Sequence, residues 1–288
     1  MEALEQQWIT ACLDGSDLSD SIADYAAWIA KRVNSPLEFL HSIQHSLLLE
    51  HVDSSGNFMP NMRENLMATL SADEEAENKR HLQEGKALLR AAKDRVADTV
   101  PKEVITKQRH GTLTETLMDL ENEIRVLVVG FRGKATSENL TGISEQLEES
   151  IRALHKPIFI VNGEYSEPQS LMLAYNNTEG ANKALDMICR SPLYEGMTIH
   201  CVQALKPDAK DDGILAQAAQ QLTQAGRTFE TAQLRGDPQT ELLAYQAKHN
   251  LDMTVMGAFN HGKLRSLFFG SFTLKMLKHN QKPVLLIR

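Results

Sequence analysis

Short runs of apolar residues recur along the chain, and each is followed by a stretch with helical spacing. The first runs are residues 9–13 (ITACL) and 37–43 (LEFLHSI), and between them Ile22, Tyr25 and Ile29 recur at three- and four-residue intervals. Such spacing predicts an amphipathic helix, whereas short runs rich in branched residues predict buried strands. Strands that alternate with helices indicate βαβ units and a parallel sheet.

The same order of elements occurs twice, which predicts an internal repeat. Residues 171–175 (LMLAY) and 197–203 (MTIHCVQ) repeat the two opening strands, and the second strand of each half carries a histidine, His41 or His200. Each half also closes with a strand ending in glycine and a final strand preceded by proline. These closing strands are 124–130 and 158–161 in the first half, and 251–257 and 284–287 in the second.

The repeat predicts two domains, residues 1–162 and 170–288, joined by a short polar linker at 163–169. Equivalent positions are 162 residues apart at the first strand and 127 apart at the fourth, so the first half carries 35 more residues. We expect this excess to form a helical insertion within about 46–103, with a flexible loop at 53–62. The apolar stripe of the predicted helix is Leu82, Leu88, Leu89, Ala92 and Val96.

Composition narrows the class of protein. The 288 residues carry a formal charge of −8, which argues against a nucleic-acid-binding surface because phosphate binding needs a basic face. The three cysteines are scattered and form no CxxC, which favours a reduced, cytoplasmic protein. The first residues lack a signal-peptide pattern, and no apolar run has the length of a membrane span, so we expect no membrane association.

The segment from Gly257 to the pair Gly270-Ser271 resembles the C-terminal signature of universal stress proteins. In nucleotide-binding members the signature is Gly, two residues, Gly, nine residues, then Gly and Ser or Thr. Here Gly257, Gly270 and Ser271 keep this spacing, and Asn260 replaces the middle glycine. The family also begins with a strand ending in Asp-Gly-Ser, which residues 14–16 match.

This resemblance implies two Rossmann-like α/β domains of the adenine nucleotide alpha hydrolase-like type. Each domain would hold a five-stranded, mainly parallel sheet with helices on both faces. The last strands, 158–161 and 284–287, would pair across a pseudo-twofold axis to form an intramolecular pseudo-dimer, which leaves room for a further homodimer. The implied function is a stress-response protein that binds ATP or a related small ligand and signals through an unidentified protein partner.

The second domain provides the better candidate nucleotide site. A glycine at a strand end allows close approach of a phosphate, and a Gly-Ser pair at a helix start supplies free N–H donors. Lys263 and Arg265 add positive charge to the same loop. Adenine would lie near Asn176 and Cys201, and any Mg²⁺ would arrive with ATP. The candidate cofactor-binding residues are Asn176, Cys201, Met256, Gly257, Asn260, Gly270, Ser271 and Phe272.

The first domain offers a weaker copy of the site. Only eight residues separate Gly133 from Gly142, one fewer than the family spacing, unless Ile143 occupies the glycine position. Glu138 in the same loop would repel phosphate. The candidate residues of this domain are Asp14, Ser42, Gly130, Gly133, Gly142 and Ser144.

The histidines and Cys201 show no arrangement typical of catalysis, which favours a binding protein. His41, His45 and His51 lack a neighbouring Cys or carboxylate cluster, so we expect core or solvated histidines and no metal site. His200 and Cys201 are adjacent on a strand and would point to opposite faces, which excludes a direct dyad. We therefore expect no enzyme. The alternatives are a ligand-independent scaffold with decayed loops, a binder of a non-nucleotide small molecule, and a weak ATP hydrolase.

Overall fold

The computed structural model describes residues 7–43, 60–132, 145–257 and 271–288, and at 60–77, 145–146 and 271 it describes the backbone alone. The elements of the first half are β1 (Trp8–Cys12), α1 (Ser19–Arg32), β2 (Leu37–Ile43), α2 (Pro60–Arg95), β3 (Val104–His110), α3 (Leu113–Asp119), β4 (Ile124–Gly130), α4 (Glu145–Ala153) and β5 (Ile158–Val161). Those of the second half are β6 (Ser170–Ala174), α5 (Glu179–Arg190), β7 (Thr198–Leu205), α6 (Ile214–Gln224), β8 (Thr228–Arg235), α7 (Pro238–Lys248), β9 (Met253–Gly257), α8 (Ser271–His279) and β10 (Val284–Ile287).

All ten strands form one continuous sheet in the order β3-β2-β1-β4-β5-β10-β9-β6-β7-β8. The β5–β10 pair at its centre is antiparallel, and every other pair is parallel. Each half therefore contributes a five-stranded parallel sheet, and the two halves face each other across a pseudo-twofold axis between β5 and β10. The predicted α/β fold and the predicted pairing of the last strands are both confirmed.

Two apolar cores lie on the two faces of the sheet. One packs beneath α1, α2, α5 and α6 and runs without a break from Ile9 in the first half to Ile287 in the second. The other lies beneath α3, α4, α7 and α8. The linker joins the first core, because the Tyr165 ring packs edge-on against Tyr25 at 4.8 Å between centroids. The Tyr165 N–H also donates to Ser21 Oγ at 3.1 Å.

Strand register locates the extra residues of the first half. Ile9 pairs with Leu37 as Leu171 pairs with Ile199, so equivalent residues of the first two strands are 162 positions apart. Leu37 pairs with Val104 and Ile199 pairs with Phe229, so the third strands are 125 apart. The excess lies between β2 and β3, within the predicted insertion. Its loop was predicted too long, because residues 60–62 already belong to α2, while 53–59 lie outside the described residues.

The same register corrects the pairing of the two histidines. His200 occupies the level of Glu38, and His41 occupies the level of Gln203. Matching His41 with His200 was wrong by three residues, an odd number that exchanges the faces of a strand. Apolar runs alone do not reveal such a slip, because β2 and β7 are buried on both faces.

Candidate functional site

The first strand of each half ends in the same tight turn. In the first half, Asp14 Oδ1 accepts a hydrogen bond from the Ser16 N–H at 3.0 Å, and Gly15 has a φ of +75°. In the second half, Asn176 Oδ1 accepts from the Thr178 N–H at 3.3 Å and from Thr178 Oγ1 at 2.8 Å. Asn177, with a φ of +55°, takes the place of Gly15, since asparagine tolerates left-handed backbone. The two halves thus form the same kind of turn with different residues.

A polar network braces the turn of the second half. The Tyr175 hydroxyl donates to Asn182 Oδ1 at 2.7 Å, and Asn182 Nδ2 donates to Asn177 Oδ1 at 3.0 Å. Thr178 also caps α5 by accepting from the Ala181 N–H. At the start of α1, the N-cap residue Leu18 makes no side-chain capping bond. The second turn is therefore the more rigidly held of the two. Tyr175, Asn177 and Asn182 did not figure among the sequence candidates.

Gly257 ends β9 directly beside the first turn of α5. A Cβ on Gly257 would lie 2.7 Å from the Ala181 nitrogen and 2.7 Å from the Gly180 carbonyl carbon. A Cβ on Gly130 would lie 3.1 Å from Ile22 Cδ1, 3.3 Å from the Arg132 carbonyl oxygen and 3.6 Å from Leu18 Cδ1. The sequence interpretation linked Gly257 to phosphate approach. The structure gives this glycine a packing role, because it lets a helix approach a strand closely.

In the second half the strand order reverses between β6 and β9, and the space beyond the carboxyl ends of these two strands is called the crevice below. Asn176 follows the end of β6, and Gly257 is the last residue of β9. In open α/β sheets, ligands bind at this kind of switch point beyond the carboxyl ends of the strands. The fold therefore brings two of the sequence candidates to one edge of the sheet.

The other candidate residues of the second half are buried in the core or pack against it. Cys201 is fully buried beside Leu173 in the middle of the sheet, and burial raises the pKa of its thiol to about 12. Met256 is buried in the core beneath α7 and α8, and Phe272 packs against the same core. Ser42 lies one residue from the end of β2, and its counterpart is Ala204, which sequence reasoning missed.

Several remaining candidates belong to segments that the structure does not describe. Gly133, Gly142, Ser144, Asn260 and Gly270 lie outside the described residues, as do His45 and His51. Ser271 begins α8, as its Gly-Ser motif predicts. Within the described ranges, no group of three or more His, Cys, Asp or Glu side chains is arranged to hold a metal ion.

Helix α2 covers the strand ends of the first half. Leu88 Cδ2 lies 3.8 Å from the position of a Cβ on Gly15, so this leucine packs over the turn. Buried Gly85 sits so close to the strands that a Cβ would lie 2.5 Å from the His41 ring. His41 Nδ1 is 2.7 Å from the Leu13 carbonyl oxygen. Residues of α2 thus contact the region that corresponds to the crevice of the second half.

His200 and Cys201 point to opposite faces, as predicted. Cys201 belongs to the core beneath α5 and α6, while His200 Nδ1 lies 3.0 Å from the Tyr245 hydroxyl of α7. Burial lowers the pKa of His200, although Glu230 Oε2 at 3.8 Å favours the protonated form. His200 therefore lies outside the crevice and has no part in it.

The fold and its paired strand-end turns define a tandem protein of two Rossmann-like α/β domains. The sequence model of the universal stress protein family matches residues 7–162 and again residues 169–288. The chain therefore belongs to the universal stress protein family. No helix in the described part of the chain has the length and apolar character of a membrane span.

Known proteins resemble the chain over nearly its whole length. A universal stress protein of Synechocystis sp. is 27% identical over 284 residues, which are 97% of this chain and 99% of the relative. The solved universal stress protein of Archaeoglobus fulgidus has a TM-score of 0.65 at 16% identity and covers 99% of this chain and 98% of its own. A functionally unknown protein of Pseudomonas aeruginosa has a TM-score of 0.60 at 13% identity, covering 98% and 92%. Structural likeness at these identities shows the fold alone.

Proposed function

We propose that this chain is a non-enzymatic stress-response protein that binds a nucleotide in its second domain and acts through a protein partner. The observation that carries the proposal is the braced turn at Asn176, which follows β6 beside its neighbouring strand β9, at the point where the strand order reverses. The segment after Gly257 carries the Gly270-Ser271 pair, and α8 begins at Ser271. Free N–H groups at a helix start favour an anion.

The charge distribution favours the second domain for an anionic ligand. Residues 1–162 contain 17 Lys and Arg against 26 Asp and Glu, a formal charge of −9. Residues 163–288 contain 13 against 12, a formal charge of +1. A phosphate therefore meets less repulsion in the second domain. The contact of α2 with the turn at Gly15 also favours the second domain. In the first domain, this helix takes up part of the space that corresponds to the crevice.

A ligand-independent scaffold is the second candidate function. It is favoured by the packing role of Gly257, which explains a signature glycine without any phosphate. Burial of Cys201 and Met256 in the two cores favours it as well, since neither side chain is presented at the crevice. In either case we assign no catalytic residue, and a cytoplasmic setting belongs to the same proposal.

Mass spectrometry of small molecules that copurify with the protein tests the proposal. We expect a nucleotide, released by denaturation, in an amount that approaches one per chain when the protein is purified rapidly. The control is a Gly270→Val variant purified in the same way, in which a branched side chain would occupy the proposed phosphate position and reduce the nucleotide content. A preparation that holds no nucleotide and also fails to bind one when it is added would support the scaffold.

A further inference from the structure

We propose that the outer edge of β3, together with a basic flank of α2 beside it, binds an extended acidic segment of a protein partner. The segment adds to the sheet as a further strand, and acidic residues at alternate positions of it meet the basic flank. The inference goes beyond the proposed nucleotide site, because β3 lies at one end of the ten-stranded sheet, far from the junction of β6 and β9.

The outer edge of β3 presents backbone groups that an added strand can pair with. Among the described strands, β3 pairs only with β2. The Gly111 N–H donates to the Ile43 carbonyl oxygen at 3.1 Å, and the register of the two strands has no shift, so the odd-numbered residues of β3 direct their backbone groups towards β2. The even-numbered ones direct theirs towards the outer edge, namely Val104, Thr106 and Gln108.

Helix α2 lies directly over β3. Gln108 Nε2 donates to the Leu82 carbonyl oxygen at 3.4 Å, and a Cβ on Gly85 would collide with the same glutamine side chain. On one flank of the helix, Arg95 Nε donates to Asp24 Oδ1 of α1 at 2.8 Å. Since α1 packs on β1 and β4, further inside the sheet, the flank of α2 opposite Arg95 is turned towards the outer edge of β3.

The flank of α2 that is turned towards this edge is basic. Its four members recur at intervals of seven, four and three residues, and at about 100° per residue they lie roughly opposite Arg95 around the helix axis. All four are exposed, and together they define the basic flank: Lys79, Lys86, Arg90 and Lys93. The flank is about 21 Å long, close to the length of about 23 Å expected for the seven residues of β3.

The second domain offers an internal comparison. β8 forms the opposite edge of the sheet, and α6 packs on it as α2 packs on β3. The backbone of the two edges is alike, since the Gly236 N–H donates to the Leu205 carbonyl oxygen as Gly111 does to Ile43. Helix α6, however, contains no charged residue. The basic flank therefore belongs to one edge alone, and it occurs in the more acidic of the two domains.

The combination of a strand edge and a basic helix favours a peptide over other polyanions. An extended peptide pairs with the outward N–H and C=O groups, whereas a nucleic acid has no such ladder and is repelled by the formal charge of −8. Alternate side chains of an added strand point to the face that carries α2, at a spacing of about 7 Å. Like charges on the flank also discourage two copies of this edge from pairing with each other.

Fluorescence anisotropy of a labelled peptide of about eight residues, in which glutamate alternates with valine, tests the inference on the full chain without nucleotide. We expect saturable binding. A peptide of the same composition with consecutive glutamates, and an oligonucleotide of equal charge, should bind about tenfold more weakly. Equal binding of the three probes would show that charge alone attracts them and would overturn the inference. Absence of binding to the alternating peptide at millimolar protein would overturn it as well, and neither result concerns the nucleotide site.

A proline substitution tests the strand edge. Thr106→Pro removes an N–H of the outer edge and keeps the hydrogen bonds to β2, because the Thr106 N–H points away from that strand. We expect the dissociation constant of the alternating peptide to rise about tenfold. Thr231→Pro is the matched control, since Thr231 occupies the equivalent position of β8, and it should leave binding unchanged. Equal binding in the wild type and a folded Thr106→Pro variant would overturn the inference.

A charge reversal tests the basic flank. Lys86→Glu replaces one attraction with a repulsion at an exposed helical position and should weaken peptide binding about fivefold. Lys248→Glu, at an exposed position of α7, changes the net charge equally and should have little effect. Circular dichroism shows whether each variant is folded, and Lys86→Glu decides the question if Thr106→Pro is not. Equal losses in Lys86→Glu and Lys248→Glu would overturn the assignment to α2.

Discussion

Asn162 and Arg288 perform the same task for opposite halves of the molecule. Each directly follows the last strand of its own domain, and each donates to carbonyl oxygens at the end of the last helix of the other domain. Asn162 Nδ2 lies 2.9 Å from the Asn280 oxygen, beyond α8. Arg288 donates to the carbonyl oxygens of Arg152, in the last turn of α4, and of Leu154, just beyond this helix, at 2.6 and 2.7 Å. The terminal carbonyls of both helices are thus capped across the pseudo-twofold axis.

Loss of these reciprocal caps should destabilise the junction of the domains. We expect Asn162→Ala and Arg288→Ala each to lower the free energy of unfolding by about 1–2 kcal/mol, since each leaves carbonyl oxygens without their donors. Urea denaturation measures the change. Arg190→Ala is the matched control, because Arg190 is exposed and forms a surface ion pair with Asp186 one helical turn away, so its loss should cost about 0.5 kcal/mol or less. Cap variants as stable as this control would contradict the account.

The two signature glycines should differ in their tolerance of a side chain. In Gly257→Ala the new Cβ meets the backbone of α5, which yields only if the helix moves, and overpacking of this kind costs about 1–3 kcal/mol. In Gly130→Ala it meets mainly the end of the flexible Ile22 side chain, so the loss should be smaller. Thermal unfolding of the two variants gives the comparison. Equal losses, or a larger loss at Gly130, would show that close packing is not the reason for Gly257.

Stability should fall on mild acidification because of His200. Burial lowers its pKa in the folded protein below the ordinary value of 6.5, so the folded state favours the neutral ring. Its stabilising contribution is therefore complete above pH 6.5 and is lost as the pH falls through that value towards the folded-state pKa. The residue of the first half that corresponds to His200 is Glu38, whose Oε2 lies 2.7 Å from Lys107 Nζ.

Urea midpoints at pH 7.5 and pH 5 measure this effect. The wild type should lose more stability between the two values than His200→Leu, which cannot be protonated. His110→Gln, at an exposed position at the end of β3, serves as the control and should behave like the wild type. An identical pH dependence in His200→Leu and the wild type would rule out His200 as the source.

The sequence predicted the buried strands far better than the exposed ones. The bounds of β2, β4, β5 and β10 agree with the predicted runs to the residue, because most residues of these strands are buried and apolar. No prediction placed β3 or β8. Both are edge strands with partly exposed, polar residues, so they lack that signal.

The strand ends that carry the candidate residues were predicted, but the side chains that brace them were not. The turn at Asn176 and the end of β9 were found because Asp-Gly-Ser and glycine spacing are local signals. Cys201 was predicted to lie near the adenine, whereas strand register makes Ala204 the counterpart of Ser42 in the first half. The brace formed by Tyr175 and Asn182 depends on a contact across seven residues, which no spacing rule indicates.

Titration calorimetry with purine nucleoside triphosphates tests the central claim most directly. The account predicts one nucleotide bound per chain, loss of binding in Gly270→Val, and unchanged binding in Gly142→Val, the matched substitution in the first domain. Circular dichroism of each variant confirms that it is folded. Absence of binding to the wild type at millimolar nucleotide, or loss of binding in Gly142→Val with retention in Gly270→Val, would contradict it.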